Sequence, residues 1–330
     1  MKKVILTGMR PTGPLHIGHL LGALTLWEKL QTKYDSYFLI ADWQVLSEHM
    51  EKRELVPQFV REMVADWMAV GLDPTKSTFV LQSKVPQLAE LTMYYSFLVT
   101  VARARRNPTV KEEAAKVGIS SDRDDITLGF LGYPVSQAAD ILLFKANLVP
   151  VGEDQAPHIE QTREIARSFN RLFGNTFPEP ECMFTTMPRV LGLDGTKMSK
   201  SLNNSIYLKD SDEEIMNKVK RAKTDSLGTF RYDPKGQPEL ANLITLYRAF
   251  STHHVDAIEK KYMTTGYGKF KEDLGKLIIK KIAPIRARRE ELMKKPSQLD
   301  TIIRKGTKKA CIIGENTMRE VRKKIFPYAF

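Results

Sequence analysis

Val4-Ile5-Leu6-Thr7-Gly8-Met9-Arg10-Pro11-Thr12-Gly13-Pro14-Leu15-His16-Ile17-Gly18-His19 stands at the start of the chain and decides its fold class. Val4-Ile5-Leu6 predicts a short strand, Gly8 to Pro14 is rich in turn residues, and Ile17, Leu20, Leu21 and Leu24 recur at helical spacing. Tyr37-Phe38-Leu39-Ile40-Ala41 predicts a second strand. Strand, helix and strand within about 40 residues form a βαβ unit, which implies a parallel sheet covered by helices.

Outward from there, a helix around Val60, Val64, Trp67 and Met68 closes at Gly71, and Thr78-Phe79-Val80-Leu81 predicts a third strand. Residues 84–145 read as mostly helical, with a looser polar stretch at 119–125, and form an insertion between the sheet halves. Pro134 is expected to open a helix through Ala138, Ala139 and Ile141, before a strand at Leu148-Val149-Pro150-Val151 and a helix marked by Ile159, Ile165 and Phe169. Sheet elements are expected to end near Asn204. From Ser211, which can form a capping box with Glu214, the chain reads as helical. Its long amphipathic piece, Phe270 to Lys294, has Leu274, Leu277, Ile278, Ile282 and Ile285 as a buried stripe and a kink at Pro284. The expectation is α/β: a Rossmann-like parallel-sheet domain over 1–205 with a helical insertion, then an all-α domain over 206–330.

The chain has 330 residues, about two domains' worth, with 42% hydrophobic and 27% charged residues. No stretch approaches the ~18 apolar residues of a spanning helix, and Val4-Ile5-Leu6 is too short for a secretion signal, so no membrane partner is expected. Cys182 and Cys311 stand far apart and offer neither metal-ligand spacing nor a disulfide framework, which suits a cytoplasmic protein. They are also too few for an iron–sulfur cluster held by this chain alone. Net charge is +12, unevenly placed: residues 1–205 carry 23 Lys+Arg against 23 Asp+Glu, and residues 206–330 carry 28 against 16. A neutral module joined to a basic one fits a polyanionic partner, although a solubilising lysine surface has the same composition.

Two loops can carry chemistry. In the first, Gly8 and Gly13 have P-loop spacing, but Pro14 replaces the phosphate-binding lysine, and no dinucleotide fingerprint is present. What remains is a glycine-rich turn opening a helix, where free N–H groups favour an anion, with His16 and His19 on the first turn and Gly18 letting a flat ring approach. No Cys or carboxylate completes a metal site with the two histidines. The second, Gly192-Leu193-Asp194-Gly195-Thr196-Lys197-Met198-Ser199-Lys200-Ser201, can close two lysines and two serines over phosphates. Either alone reads equally as solvated surface. A third feature is Asp140, a single carboxylate within the apolar Tyr133–Leu143 segment. Buried, it needs a donor. A basic neighbour would supply one.

Taken together, Pro-Leu-His-Ile-Gly-His at 14–19 and Lys-Met-Ser-Lys-Ser at 197–201 resemble both signatures of the class I aminoacyl-tRNA synthetases, in the right order. Tyr133-Pro134 with Ala138-Ala139-Asp140-Ile141-Leu142, Val151-Gly152-Glu153-Asp154-Gln155 with His158-Ile159-Glu160, and Thr224-Asp225-Ser226 with Gly228-Thr229-Phe230-Arg231-Tyr232-Asp233 resemble the bacterial-type tryptophanyl-tRNA synthetases over essentially the whole chain. Tyrosyl enzymes share the fold and the first two signatures but look less like this between 133 and 170.

The resemblance implies a tryptophan–tRNA ligase that forms tryptophanyl-adenylate from L-tryptophan and ATP and transfers it to tRNA(Trp). It implies ATP binding by Arg10, Pro11, Thr12, His16, Gly18, His19, Gly152, Glu153, Asp154, Val190, Lys197, Met198, Ser199, Lys200 and Ser201. It implies tryptophan binding by Asp140, Tyr133, Gln155, Gln44, Gln137, Val149 and Val151, with Asp140 taking the indole N–H and Tyr133 and Gln155 the ammonium. Lys111, Lys197 and Lys200 are implied to stabilise the leaving pyrophosphate. Mg²⁺ is expected to arrive with ATP rather than in a protein cage, and a homodimer is expected through the insertion. Arg286, Arg288, Arg289 and the Arg322-Lys323-Lys324 group are expected to include phosphate contacts to tRNA. Three positions depart from common members: Gln44 replaces a His, Gln137 a Met and Arg10 a Gln, and a C-terminal cysteine cluster found in some members is absent.

Overall fold

The computed structural model describes residues 2–47, 50–116, 118, 126–185, 190–198, 202 and 204–328. Among the described residues, five parallel strands, β1 (Val4–Met9), β2 (Asp35–Ile40), β3 (Ser77–Leu81), β4 (Leu148–Val151) and β5 (Glu181–Phe184), form one sheet in the order β3-β2-β1-β4-β5. Alternation along β2 builds the two halves of the core: Phe38 and Ile40 face one layer, Tyr37 and Leu39 the other. Trp27 stacks on Phe38 at 5.2 Å on the first side. β4 includes Pro150, which cannot donate a ladder bond, and the Thr7 hydroxyl ties β1 to it by donating to the Pro150 carbonyl at 2.7 Å. The chain leaves β1 for β2 on one side and reaches β4 on the other, so the carboxyl ends of β1 and β4 flank the crevice where strand order reverses.

Two expectations are corrected. The helix predicted to open at Pro134 runs Leu128–Leu143, because Thr127 caps it from the Phe130 N–H at 3.1 Å and Phe130 and Leu131 bury themselves before the proline. Among the described residues the last strand ends at Phe184 rather than near Asn204. The chain beyond it pairs instead with the opening loop, through Ile17 N–H to the Ile206 carbonyl and Leu208 N–H to the Leu15 carbonyl, each at 2.9 Å. The stretch expected to be loose at 119–125 lies outside the described residues.

The capping box at Ser211 and Glu214 forms. The helix Gly266–Met293 continues through Pro284, burying Leu274, Ile278 and Ile282 fully and Leu277 and Ile285 in part. The helix Pro296–Ile325 lies against β3. A Cβ on Gly306 would collide with the Phe79 backbone, and the Thr307 hydroxyl accepts the Leu81 N–H at 3.0 Å, so this helix covers what would be an open sheet edge. The C-terminal helices and the sheet thus share one hydrophobic core. Among the described residues no helix is long and apolar enough to cross a membrane.

Candidate active site

A cavity of 380 Å³ opens at the strand-order reversal. Of the residues expected to bind ligands, Arg10, Thr12, His19, Gln44, Tyr133, Gln137, Asp140, Val149, Val151, Gly152 and Gln155 line it. Pro11, Lys111, Glu153, Asp154, Val190, Lys197 and Met198 do not, nor do His16 and Gly18. Ser199, Lys200 and Ser201 lie outside the described residues.

The residues off the wall build its frame. The two histidines cap their own helix: the His16 ring accepts the Gly18 N–H at 3.1 Å, and His19 Nδ1 accepts the His16 N–H at 3.2 Å. The ring that Gly18 admits is that of His16, since a Cβ there would come within 2.9 Å of it and 3.0 Å of Met198 Sδ. Met198 therefore touches the first signature. Asn204 braces the second loop, donating to Asp194 Oδ1, Thr196 Oγ1 and the Lys197 carbonyl. Lys197 is exposed, and Val190 packs on the core. Lys111 is exposed on the helix Pro108–Lys116, whose Glu113 pairs with Arg10 at 3.6 Å. Glu153 and Asp154 are exposed at the rim, where the Asp154 carbonyl accepts the Thr109 hydroxyl at 2.9 Å.

At the base of the cavity Asp140 is 1% exposed. Gln82 Nε2 lies 2.9 Å from both its oxygens, and Gln44 Nε2 donates to Oδ2 at 3.3 Å. The Gln82 amide faces this way because its Oε1 accepts the Trp43 N–H at 3.2 Å. Burial pushes the Asp140 pKa up to about 8; the Gln82 bonds pull it down and the nearby Asp42 charge raises it. All its donors are neutral, so Asp140 keeps acceptor capacity facing a cavity lined by Val149, Val151 and Ile141. Gln82, which sequence reading missed, follows the apolar run of β3 directly, and a buried amide at the carboxyl end of a parallel strand is a readable signal. His158 was passed over in the same way. It is 1% exposed, 2.9 Å from Tyr133 Oη through Nε2.

Several cations expected at a polyanion surface are bound internally. Arg289 is buried on Asp66 and Glu62, Arg286 pairs with Asp212, Arg322 with Glu90 and Glu315, and Lys324 with Glu320. Arg288 and Lys323 are exposed.

Residues 2–282 match the family model of class I tRNA synthetases for tryptophan and tyrosine. Tryptophan–tRNA ligase from Thermotoga maritima is 42% identical over 327 residues, covering 97% of this chain and 98% of that protein. The chain belongs to the bacterial-type tryptophanyl-tRNA synthetases of class I. Tryptophan–tRNA ligase from Streptococcus pyogenes is 43% identical over 335 residues, covering 97% of each chain. The crystal structure of tryptophanyl-tRNA synthetase from Campylobacter jejuni with ADP and tryptophan matches with a TM-score of 0.85 at 32% identity, over 98% of this chain and 99% of that one.

Proposed function

We infer that the chain is a tryptophan–tRNA ligase, and that the cavity between β1 and β4 is where it joins L-tryptophan to ATP. The carrying observation is Asp140: a buried carboxylate on the cavity wall beside Ile141, Val149 and Val151, held by neutral amides and open to one more donor. A donor-only indole N–H fits it, and an analogue without that N–H leaves the acceptor unsatisfied. In this reading Tyr133 and Gln155 receive the ammonium, Gln44, Gln137, Val149 and Val151 shape the side-chain pocket, and Arg10, Thr12, His19 and Gly152 meet ATP. The substrate carboxylate attacks the α-phosphate in line. The bond to the β-phosphate breaks, pyrophosphate leaves with its Mg²⁺, and tryptophanyl-adenylate remains; no protein base is needed, because the nucleophile is already an anion. A terminal ribose hydroxyl of tRNA(Trp) then takes the aminoacyl group and AMP departs.

Lys111, Lys197 and Lys200 stabilise the charge that develops on pyrophosphate, and Lys111 and Lys197 are exposed side chains that can turn toward a long triphosphate. Residues 206–330 form the basic tRNA-binding part, the helical insertion joins a homodimer, and the enzyme works in the cytoplasm. The excess charge of 206–330 and the apolar side chains of Met93, Phe97 and Val101 exposed on the insertion support the first two. ATP–pyrophosphate exchange tests the whole: tryptophan alone should support it, and Lys111→Ala should slow it about a hundredfold with tryptophan affinity unchanged. Exchange with tyrosine would reassign the pocket.

A further inference from the structure

A second cavity, of 680 Å³, opens where the helix Val56–Val70, the carboxyl end of β3 and the helix Pro296–Ile325 meet. None of its described lining residues lines the first cavity. Asp300, Arg304, Thr307, Lys308 and Cys311 recur at spacings of three and four, so one face of the last helix makes a wall. Cross-links hold the walls in place. Arg61 grips Asp300 through two bonds, Nε to Oδ1 at 2.8 Å and Nη2 to Oδ2 at 3.0 Å, which joins the two helices. The Leu81 N–H donates to the Thr307 hydroxyl at 3.0 Å and the Cys311 thiol to the Lys84 carbonyl at 3.3 Å, which ties the last helix to the strand end. A cavity framed in this way exists before a ligand arrives, and an occupant does not have to order its walls.

Its lining divides by chemistry. Val56, Pro57, Val60, Leu81 and Ile303 supply an apolar surface, and Lys84, Arg304 and Lys308 are exposed cations at the same cavity. The two carboxylates among the described lining residues are engaged, Asp300 by Arg61 and Asp42 by the Ser83 N–H, which its Oδ1 accepts at 2.9 Å. Lys84 and Lys308 make no ion pair among the described residues. A wholly apolar ligand would gain nothing from these cations, and an extended polyanion would leave the apolar walls uncovered. We propose that this cavity is a second ligand site, for a small molecule with an apolar body and one anionic head group. The body lies against Val60, Leu81 and Ile303, and the head meets Lys84 and Lys308.

8-Anilino-1-naphthalenesulfonate, two aromatic groups with one sulfonate, is the probe. Cys311 stands in the cavity wall, whereas Cys182 lies on β5, so the two thiols report where the probe sits. With the unaltered protein and probe at about ten times its dissociation constant, alkylation of Cys311 by iodoacetamide should slow about tenfold, with Cys182 unaffected. N-phenyl-1-naphthylamine, the same body without the sulfonate, should bind about tenfold more weakly. Lys84→Glu combined with Lys308→Glu should weaken the sulfonate probe by at least about tenfold and leave the uncharged compound unchanged. Alkylation of Cys311 at one rate with and without probe overturns the site. Equal affinity for the charged and uncharged compounds, or a sulfonate affinity that survives the two charge reversals, overturns the assignment of an anionic ligand.

Discussion

Asp66 and Asp140 are both 1% exposed, and they are held in opposite ways. Asp66 receives Arg289 Nε from the long C-terminal helix Gly266–Met293 at 2.7 Å and the N–H of Leu15, within the first signature, at 3.4 Å. Glu62 adds a second carboxylate to the same guanidinium at 3.4 Å. Asp140 receives only amides, from Gln82 and Gln44. Burial raises both pKa values, that of Asp66 to about 6 because the Arg289 charge offsets part of the desolvation, that of Asp140 to about 8 because no cation does. A buried acid given a full countercharge is finished as an interaction; one given neutral donors still gains from another. The first joins the opening loop to the C-terminal helices, and the second faces a ligand cavity.

The widest separation between the two should come from Arg289→Ala. Removing the guanidinium leaves Asp66 and Glu62 buried together without a cation, which should cost about 3–5 kcal/mol. The urea midpoint should fall with the slope unchanged. A shift of about 0.5 kcal/mol, the size of a surface substitution, would erase the distinction drawn between the two acids.

Asp140→Asn should act on the other axis. The amide keeps the shape but turns one acceptor into a donor facing donors, so tryptophan-dependent exchange should drop about a hundredfold in kcat/KM, roughly 2.7 kcal/mol. The fold should hold its stability at neutral pH, where the buried carboxyl, with a pKa of about 8, is itself mostly protonated. Loss of stability equal to that of Arg289→Ala would make Asp140 a structural acid like Asp66.

This contrast also marks what could be read from sequence. Asp140 was visible as a lone carboxylate in an apolar helix, and the opening loop as strand, turn and helix, because period and composition are local signals. Asp66 was not singled out although it lies in the equally apolar stretch Val64-Ala65-Asp66-Trp67-Met68, since its partner is more than two hundred positions away. For the same reason Arg289 read as one of a cluster of surface cations, while its neighbour Arg288, one step round the helix, is exposed. Covering of the β3 edge by the helix Pro296–Ile325 was illegible too: Gly306 is a poor helix former until the Phe79 backbone against it is known. Pro134 misled because proline favours a first turn, and only packing by Phe130 and Leu131 shows that the helix starts earlier.

The smallest effect follows from the titration of Asp140. Its folded pKa of about 8 lies above the ordinary value of 3.8, so the folded chain holds this proton more tightly than the unfolded chain does. Stability is therefore greatest at the acid end of that window and falls as pH rises through the folded pKa. Asp66, at about 6, has the same sign, and His158, lowered to about 4, the opposite one, but both have finished titrating above pH 7. Between pH 7 and pH 8 the slope belongs to Asp140 and should amount to about 1 kcal/mol. Asp140→Asn should flatten it, and Asp66→Asn should leave it in place. An indole N–H favours the carboxylate over the carboxylic acid, so tryptophan binding at pH 7 should release a proton, read by calorimetry in buffers of different ionisation enthalpy. Binding without proton release would mean that Asp140 is already ionised in the empty cavity, and that the two buried acids differ in partners but not in charge.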